Sequence, residues 1–401
     1  MEKKIVCFGA GKFGILYARA AALQNIAINC FVDNDTMKWG SECEGIKIFP
    51  PSYLAELADE DIEVVIAVSK SAGLDKVVVQ LENMGFKYGK NIISHAVQME
   101  KDAEKLISKK YKNAKVLDLG NSPCLKYYVE TPDGKPFFLR VSTLSQYERR
   151  KREQDLMSLL LNNGIFVSQM VALGKLNSCI YTLSDWIFGE NIDTALLKTN
   201  PKFHYNLGIK SGQSLKKMHS LSLENKDLDS ILLWNIDDVK KRYYENGLRS
   251  VENDIIFNYL DKHKNIIKNR PLSLVHGDYD IKNQMLTPSN DIIIIDFDKT
   301  SFADALSDMG MIVYSALISK DYAIGQLHGY FNGNPSKEIW QYIAYYTMHY
   351  AAYHALRTVS QTKEVQKIYS QQNASVLSWF NNMKSLMPNW YKNYLGGNSL
   401  A

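Results

Sequence analysis

The sequence predicts an α/β domain with a parallel sheet, followed by a larger α+β region in which a few strands precede many helices. The first prediction rests on strand and helix signals that alternate over residues 1–98, which is typical of a parallel sheet covered by helices. The second rests on adjacent strand signals within 116–187, after which the pattern is mainly helical to residue 401. A length of 401 residues is consistent with two or three domains, at about 100–200 residues each.

In the first domain, four short apolar runs predict strands. They are 5–8, 28–32, 64–68 and 91–93, with helices near 12–23, 51–58 and 74–84. Residues 99–115 are rich in Lys, Glu and Asp and contain no Pro or Gly. This stretch predicts a solvated linker helix at a domain boundary.

Beyond the linker, three strands are predicted at 116–119, 126–131 and 137–141. The segment 132–135 (PDGK) is a hairpin turn signal between the last two. A charged helix follows at about 145–162, and its basic run 149–152 is expected to be solvated. Another strand is predicted at 180–187, and a single further strand at 291–295. The predicted domains are therefore 1–98, the linker 99–115, 116–187 and 188–401.

The composition excludes several classes of protein. Hydrophobic residues make up 46% and charged residues 22%, as in ordinary globular proteins. A net charge of +4 over 401 residues does not indicate a nucleic-acid partner. No apolar run approaches the roughly 18 residues that span a bilayer, and the apolar stretch before Gly9 is too short for a signal peptide. Five scattered cysteines favour small buried thiols in a reducing compartment. We expect a cytoplasmic protein, with its oligomeric state left open.

A glycine-rich turn follows the first predicted strand. Gly9, Gly11 and Gly14 form G-x-G-x-x-G between a strand and a helix, where glycines let the backbone approach a pyrophosphate. Asp33 ends the second strand, where a carboxylate would meet a ribose hydroxyl, and Asp35 is a second candidate. The same turn also packs a helix against a sheet without any ligand, so both interpretations stay open.

The stretch 31–50, with Asp33-Asn34-Asp35, Lys38-Trp39-Gly40 and Pro50, resembles a Rossmann-like domain found in bacterial proteins that modify nucleotide-linked sugars and surface glycans. The resemblance covers residues 1 to about 95. It implies a nucleotide or nucleotide-sugar ligand, or a scaffold role.

The sharpest signal is His276-Gly277-Asp278, with Asn283 five residues after the aspartate and Asp296 after an apolar strand. Phosphoryl transfer to an alcohol needs a carboxylate that orients the hydroxyl and accepts its proton, a role that fits Asp278. It also needs oxygen ligands for Mg²⁺, and Asn283 and Asp296 fit that role. Asp298 is either a group supporting the magnesium ligands, which we favour, or a cap of the next turn.

This pattern resembles the aminoglycoside phosphotransferase and choline kinase family, whose members carry H-G-D-x-x-x-x-N and then D-F or D-L at a strand end. The resemblance extends from about 116 to 360 and implies a two-lobed protein-kinase-like fold, with Mg²⁺ and ATP as cofactors. It matches 120–124, which contains Ser122, to the loop that covers the phosphates. It also matches Asp308 to an acid that follows the magnesium aspartate.

Further roles are implied by the same resemblance. Arg140 occupies the position of the phosphate-binding lysine, and Glu153 matches the acid that pairs with it. Arg140 keeps the charge of a lysine but not its geometry. Lys126 and Lys135 are alternatives if the strand register differs. The hinge that binds adenine is expected at Leu183, Ser184, Asp185 and Trp186.

Tyrosines at 342, 346, 350 and 353 share one face of a predicted helix. Such a stripe is either core or, in this family, part of an acceptor pocket that suits a quaternary ammonium or a sugar.

The expected function is Mg²⁺- and ATP-dependent phosphorylation of a hydroxyl on a small molecule, a sugar or a choline-like amino alcohol, in surface-glycan precursor metabolism. The alternative is a non-catalytic nucleotide- or nucleotide-sugar-binding regulator or scaffold. A third interpretation, an NAD-dependent oxidoreductase, rests on the glycine turn alone.

Overall fold

The computed structural model describes residues 4–57, 61–68, 73–87, 92–117, 124–221, 235–357 and 363–397. The chain divides into two units, residues 1–158 with 169–186 and residues 159–168 with 187–401. The predicted domains at 1–98, 99–115 and 116–187 fall in the first unit apart from residues 159–168 and residue 187. The predicted domain 188–401 falls in the second.

The first unit begins with a six-stranded mixed sheet. Its strands are β1 (Lys4–Phe8), β2 (Cys30–Val32), β3 (Glu42–Cys43), β4 (Ile46–Phe49), β5 (Ile62–Ile66) and β6 (Ile92–Ser94). The spatial order is β3-β4-β2-β1-β5-β6, and every pairing is parallel except β3 with β4. The four predicted strands correspond to β1, β2, β5 and β6, but the prediction of a purely parallel sheet is wrong at the β3 edge.

The β3–β4 hairpin was missed because its strands have only two and four residues, too few to show an alternating pattern. Its turn residues Glu44 and Gly45 have φ values of 52° and 77°. Two positive φ angles in a two-residue loop are typical of a tight hairpin turn. The helix predicted near 51–58 is a 3₁₀ helix, Pro51–Leu57.

Helices cover both faces of the parallel strands. They are α1 (Lys12–Leu23) and α2 (Leu74–Asn83). Val6 and Val64 pack with Leu81 of α2 on one face, and Cys7 packs with Ala18 of α1 on the other. Strands buried on both faces read as continuous apolar runs, which is why the sequence identified them. The prediction of buried thiols is confirmed for Cys7, Cys30, Cys43 and Cys179.

A five-stranded antiparallel sheet follows in the same unit. Its strands are β7 (Asn113–Val116), β8 (Leu125–Glu130), β9 (Pro136–Thr143), β10 (Met170–Lys175) and β11 (Cys179–Asp185), in the order β10-β11-β9-β8-β7. The predicted hairpin turn is confirmed: Gly134 has φ of 89°, and the Thr131 amide donates to the Lys135 carbonyl at 3.0 Å. Strand β10 was not predicted, and the strand expected at 116–119 begins three residues earlier.

Helix α3 (His95–Lys110) corrects the prediction of a solvated linker helix. Its residues Met99, Ala103 and Leu106 are buried in the core of the antiparallel sheet. Their spacing of four and three residues forms one helical face. The abundant charges of the stretch concealed this narrow apolar stripe. The next helix, α4 (Tyr147–Asn162), matches its predicted bounds within two residues.

The second unit is mainly helical. Its helices are α5 (Ile192–Leu196), α6 (Pro201–His219), α7 (Ile236–Glu245), α8 (Val251–His263), α9 (Met309–Ser315), α10 (Lys320–Phe331), α11 (Ile339–Arg357), α12 (Lys363–Trp379) and α13 (Asn389–Leu395). Its strands are β12 (Glu190–Asn191), β13 (Leu272–Val275), β14 (Gln284–Leu286), β15 (Ile292–Ile294) and β16 (Ser301–Asp304). Sheets β12-β14-β15 and β13-β16 replace the single predicted strand, because strands of two to four residues leave little signal.

Helices α6 and α10 pack with their backbones in close contact. A Cβ atom at Gly208 of α6 would lie 2.2 Å from the Tyr322 carbonyl oxygen, and one at Gly325 of α10 would lie 2.2 Å from that of Tyr205. Only glycine permits this approach. In the ranges that the structure describes, no helix is both long and apolar enough to cross a bilayer.

Candidate active site

The loop after β13, residues 276–283, carries the predicted catalytic aspartate and is called the HGD loop below. His276 is fully buried. Its Nδ1 accepts a hydrogen bond from the Asp278 amide at 3.2 Å, and its Nε2 lies 3.1 Å from the Ile295 carbonyl oxygen. A carbonyl oxygen only accepts, so the ring is satisfied when Nε2 carries the proton. Burial lowers the pKa of His276, which is consistent with a neutral ring.

Asp308 binds the HGD loop through its backbone amides. Its carboxylate accepts from the amides of His276 at 2.8 Å and Gly277 at 2.9 Å, and His219 Nε2 lies 3.0 Å from Oδ2. Burial raises the pKa of Asp308, but the hydrogen bonds that the carboxylate makes with the His219 ring and with the His276 amide more than offset this effect and leave the pKa lowered. Asp308 therefore acts as an ionised anchor for the loop.

The HGD loop folds back on itself at Asp278. Asn283 Nδ2 donates to the Asp278 carbonyl oxygen at 2.9 Å, so the two residues meet although five positions separate them. The Asp278 carboxylate is partly exposed, and its Oδ2 lies 2.7 Å from Lys299 Nζ. Asp280 caps the turn by accepting from the Lys282 amide at 2.9 Å, and burial raises the pKa of Asp280.

The main chain places Asp296 beside Asn283. The Ile295 amide donates to the Asn283 carbonyl oxygen at 2.9 Å, and Asp296 is the next residue. Asp296 is exposed and left-handed, with φ and ψ both 65°, a conformation in which Asp and Asn are enriched. Asp298 lies in the following 3₁₀ turn, Phe297–Lys299, and its role near a metal stays a prediction.

The residues at this point fit magnesium that arrives with a nucleotide. Because Asn283 donates through Nδ2, its Oδ1 remains for a ligand, and no hydrogen bond from another described residue occupies the Asp296 carboxylate. The described residues contain no group of three or more His, Cys, Asp or Glu that could hold a metal ion alone. Mg²⁺ is commonly held by one or two carboxylates while phosphate oxygens and water complete its shell.

A buried polar network holds the end of the HGD loop against α6 and α10. Gln284 Oε1 accepts from Ser211 Oγ at 2.6 Å and from the Tyr322 hydroxyl at 2.7 Å. Gln326 Nε2 donates to Ser211 Oγ at 3.0 Å, and the Tyr279 hydroxyl donates to the Ser211 carbonyl at 2.8 Å. Sequence reasoning missed this network, since no local spacing connects these positions.

In the first unit, Arg140 and Glu153 form the predicted ion pair. Arg140 Nη1 lies 3.6 Å from Glu153 Oε1, and Glu153 is buried. A second guanidinium, that of Arg150, contacts Glu153 Oε2 more closely and is only 2% exposed. The prediction that the run 149–152 is solvated is therefore wrong for Arg150, because a buried carboxylate next to it requires a charged partner.

The strand register places Arg140 opposite Lys126 of β8 and Thr182 of β11. The alternative Lys135 lies in the hairpin, 3.6 Å from Asp185. Arg140 is thus the one of these three residues for which the structure records an ion pair with Glu153.

The predicted hinge lies at the end of β11. Leu183, Ser184 and Asp185 are its last three residues, and Trp186 follows and packs edge-to-face on Tyr128 with ring centroids 4.8 Å apart. The Asp185 amide donates to the Gln169 carbonyl at 2.9 Å, so this N–H is used within the sheet. Ser122, the candidate of the phosphate-covering loop, lies outside the described residues.

The glycines of the N-terminal turn differ in what they do. A Cβ atom at Gly14 would lie 2.0 Å from the Gly9 carbonyl oxygen, and Gly9 itself has φ of 106°. Both are therefore required by the fold. Gly11 is the N-cap residue that precedes α1, and a Cβ atom there would meet no atom within 4 Å.

Asp33 is buried, and both of its carboxylate oxygens accept hydrogen bonds from its own domain. Its Oδ2 accepts from the Ala10 amide at 2.7 Å and from Lys38 Nζ at 3.0 Å, and its Oδ1 accepts from the Asp35 amide at 2.8 Å. Burial raises the pKa of Asp33, but these donors more than offset the effect and lower it. Three of the roughly four acceptor positions of the Asp33 carboxylate are therefore already used, which leaves little capacity for a ribose hydroxyl.

The tyrosines of the predicted stripe on α11 differ in their contacts. Tyr346 donates to Asp304 at 2.9 Å, and Arg270 stacks on Tyr342 at 4.3 Å, so these two rings are structural. The ring centroid of Tyr353 lies 5.9 Å from Nζ of Lys299, the lysine that pairs with Asp278.

Comparison with known proteins gives the class of this molecule. Solved structures of aminoglycoside phosphotransferase APH(4)-Ia, of amicoumacin kinase with AMP-PNP and Ca²⁺, and of spectinomycin phosphotransferase APH(9)-Ia with ADP and spectinomycin share its fold. Their TM-scores are 0.56, 0.52 and 0.52, at 12%, 13% and 15% identity. They cover 70%, 74% and 70% of this chain, and the matches cover 98%, 98% and 94% of their own chains. The C-terminal part thus has the protein-kinase-like fold of these phosphotransferases.

The sequence comparison agrees. Residues 114–343, more than half of the chain, match the phosphotransferase enzyme family. The protein belongs to this family. Residues 1–93 match a model described as C2185-like, N-terminal. Among curated proteins, no match was found.

Proposed function

We propose that the protein is an ATP- and Mg²⁺-dependent kinase that phosphorylates a hydroxyl group of a sugar or a choline-like amino alcohol. One observation carries the proposal: two hydrogen bonds of 2.9 Å connect Asp278 to Asn283, and Asn283 to the residue before Asp296. The residues that we propose as the base, Asp278, and as two of the metal ligands, Asn283 and Asp296, therefore lie in one loop and at one strand end. Membership of the phosphotransferase family supports the proposal.

In the proposed reaction, Asp278 orients the acceptor hydroxyl and accepts its proton. No described residue donates to Asp278 Oδ1, while Lys299 contacts Oδ2. The free oxygen is therefore the one that faces the hydroxyl. Asn283, Asp296 and Asp298 would hold Mg²⁺, which neutralises charge on the phosphates when it is bound.

Arg140 would bind the phosphates of ATP, and Glu153 would orient it. Glu153 lies closer to Arg150 than to Arg140, and Arg140 Nη1 is 3.6 Å from Glu153 Oε1. A guanidinium held this loosely keeps donors for phosphate oxygens, which it can bind in a bidentate manner. Two arginines around one carboxylate also leave a net positive charge, which favours an anion. Ser122 and the hinge 183–186 would complete the ATP site.

A sugar or amino alcohol acceptor is supported by the neighbours, which are a phosphotransferase of spectinomycin and others of aminoglycosides. We also propose a Rossmann-like N-terminal domain whose glycine turn binds a nucleotide or nucleotide-sugar. The open space at Gly11 supports that ligand. The proposed role in surface-glycan precursor metabolism rests on the resemblance of residues 1 to about 95 to domains of glycan-modifying proteins.

The test is untargeted phosphate transfer. The wild type, Asp278→Asn and the matched control Asp291→Asn are incubated with Mg²⁺, ATP and a metabolite extract, and phosphate gain is followed by mass spectrometry. We expect one metabolite to gain a phosphate with the wild type and the control, and about 10²–10⁴-fold more slowly with Asp278→Asn. No gain with the wild type, together with bound ATP, would reject the kinase in favour of the non-catalytic regulator that Arg140 at the lysine position suggests.

A further inference from the structure

The ion pair between Asp278 and Lys299 joins the proposed base to a residue that the phosphotransfer motif does not include. Their side chains are 19% and 35% exposed, and the contact between Oδ2 and Nζ is 2.7 Å. Within the described part of the chain, Lys299 is the one cation within ion-pair distance of Asp278. A pair partly withdrawn from water is worth more than the exposed pairs typical of protein surfaces.

The backbone around Lys299 is fixed to the HGD loop, so the pair does not depend on chance side-chain contact. Val275 pairs with Ser301 in the β13–β16 ladder, which brings the two chain segments side by side. A Cβ atom at Gly277 would lie 2.4 Å from the Lys299 carbonyl oxygen and 3.1 Å from its Cβ. Gly277 has φ of 74°, so both its conformation and this close approach require glycine.

We propose that Lys299 is a positioning residue that holds the Asp278 carboxylate by Oδ2 so that Oδ1 faces the acceptor hydroxyl. This inference rests on the proposed function. The acceptor oxygen bonds to the γ-phosphorus while its proton passes to Oδ1. The bond from the γ-phosphorus to the bridging oxygen breaks, and ADP leaves with the electron pair. Lys299 exchanges no proton in this step; it restricts rotation of the carboxylate.

The Tyr353 ring completes the arrangement on the lysine. Its centroid lies 5.9 Å from Lys299 Nζ, within the range at which an aromatic face attracts a cation. The ammonium is therefore held between a carboxylate and an aromatic ring. Lys282 lies in the HGD loop with Asp278, and its side chain is exposed. It serves as the matched control for Lys299.

The experiment compares Lys299→Met, Lys299→Arg and Lys282→Met with the wild type, using Mg²⁺, ATP and the metabolite extract. We expect Lys299→Met to lower the maximal rate about 10–100-fold, since small misplacement of a reacting group costs up to about 10²-fold. The KM for ATP should stay near its wild-type value. Lys299→Arg should recover part of the rate, and Lys282→Met should match the wild type.

A double variant separates positioning from direct action on the phosphate. If Lys299 acts only through Asp278, Asp278→Asn with Lys299→Met should be no slower than Asp278→Asn alone. Losses that multiply would overturn the positioning role, as would a wild-type rate in Lys299→Met. If thermal unfolding shows that Lys299→Met is not folded, Lys299→Gln is measured in its place and is judged by the same rates. A wild type without product rejects the proposed function and this inference together, whereas an active wild type with an unaffected Lys299→Met rejects only the inference.

Discussion

Two glycine-containing turns follow buried strands in this protein, and their aspartates are used in opposite ways. Asp33, beside the turn at Gly9, receives hydrogen bonds from three groups of its own domain. Among the described residues, Lys299 alone donates a hydrogen bond to the carboxylate of Asp278, which follows Gly277. In the HGD loop the structural bonds are made by Asp308, which binds two backbone amides.

The difference between Asp33 and Asp278 indicates what leaves a carboxylate oxygen without a partner in the fold. A turn needs acceptors for its backbone N–H groups. When the nearest aspartate supplies these acceptors, its oxygens are used to hold the turn. When a distant buried aspartate supplies them, the aspartate in the turn keeps an oxygen for a substrate. Both turns offer an aspartate near a glycine in the sequence, and the structure shows that the two aspartates have different hydrogen-bond partners.

The largest expected effect separates the two aspartates. Asp278→Asn should lower phosphoryl transfer about 10²–10⁴-fold because a positioned base is lost, with little change in the thermal midpoint. Asp33→Asn should instead lower the thermal midpoint. Transfer rates and thermal unfolding of both variants check this, and a midpoint that falls more in Asp278→Asn than in Asp33→Asn would contradict the comparison.

The next effect concerns the anchor of the HGD loop. Asp308→Ala should lower the free energy of unfolding by about 3–5 kcal/mol, since it leaves His219 and two buried amides without their partner. Urea unfolding measures the loss. The control Asp308→Asn keeps an acceptor oxygen and should lose less; equal losses would show that the hydrogen bonds to the loop are unimportant.

The glycines of the N-terminal turn give a matched pair. Gly14→Ala should destabilise by about 1–3 kcal/mol, because its Cβ would overlap the Gly9 carbonyl. Gly11→Ala should cost less than about 1 kcal/mol, the loss of a favoured N-cap residue. Chemical unfolding tests both. If Gly11→Ala is stable but no longer binds a nucleotide or nucleotide-sugar by calorimetry, a ligand site at this turn is supported.

The smallest effect is a pH dependence. The pKa of Asp33 is lowered in the folded state, so its stabilisation is present above the unfolded-state value of about 3.9 and is lost as the pH falls through the folded value. Asp33→Asn should therefore cost about 1–3 kcal/mol at pH 7 and less at pH 3. A difference that is constant between the two pH values in urea unfolding would show that Asp33 is not the ionised anchor of its turn.

Much of the fold could be predicted because its signals are local. Buried parallel strands such as β1 and β5 are continuous apolar runs, and the hairpin before β9 carries its own turn residues. The prediction that 99–115 forms a solvated linker helix was wrong, because the charged residues of this stretch outnumber the three apolar residues of its buried face. Strands of two to four residues, as in the β3–β4 hairpin and around the HGD loop, are too short to generate a pattern.

The candidate site also has a part that could be predicted from local sequence and a part that could not. The identities and spacing of Asp278, Asn283 and Asp296 are local, because a turn and a strand end bring them together over few residues. The partners that define their state are distant in the chain. Lys299 reaches Asp278 across 21 positions, and Asp308 reaches the loop across about 30.

The sequence alone determined the class of chemistry, since residue type and short spacing decide which groups can meet in one loop. Tertiary structure decided that Asp278, the proposed base, keeps an oxygen to which no described residue donates, that Glu153 contacts Arg150 more closely than Arg140, and that Lys299 meets Asp278. The physical reason is that hydrogen bonds and ion pairs depend on distances in space. Those distances are set by close contacts between elements, such as the glycine contact of α6 with α10, which no local pattern encodes.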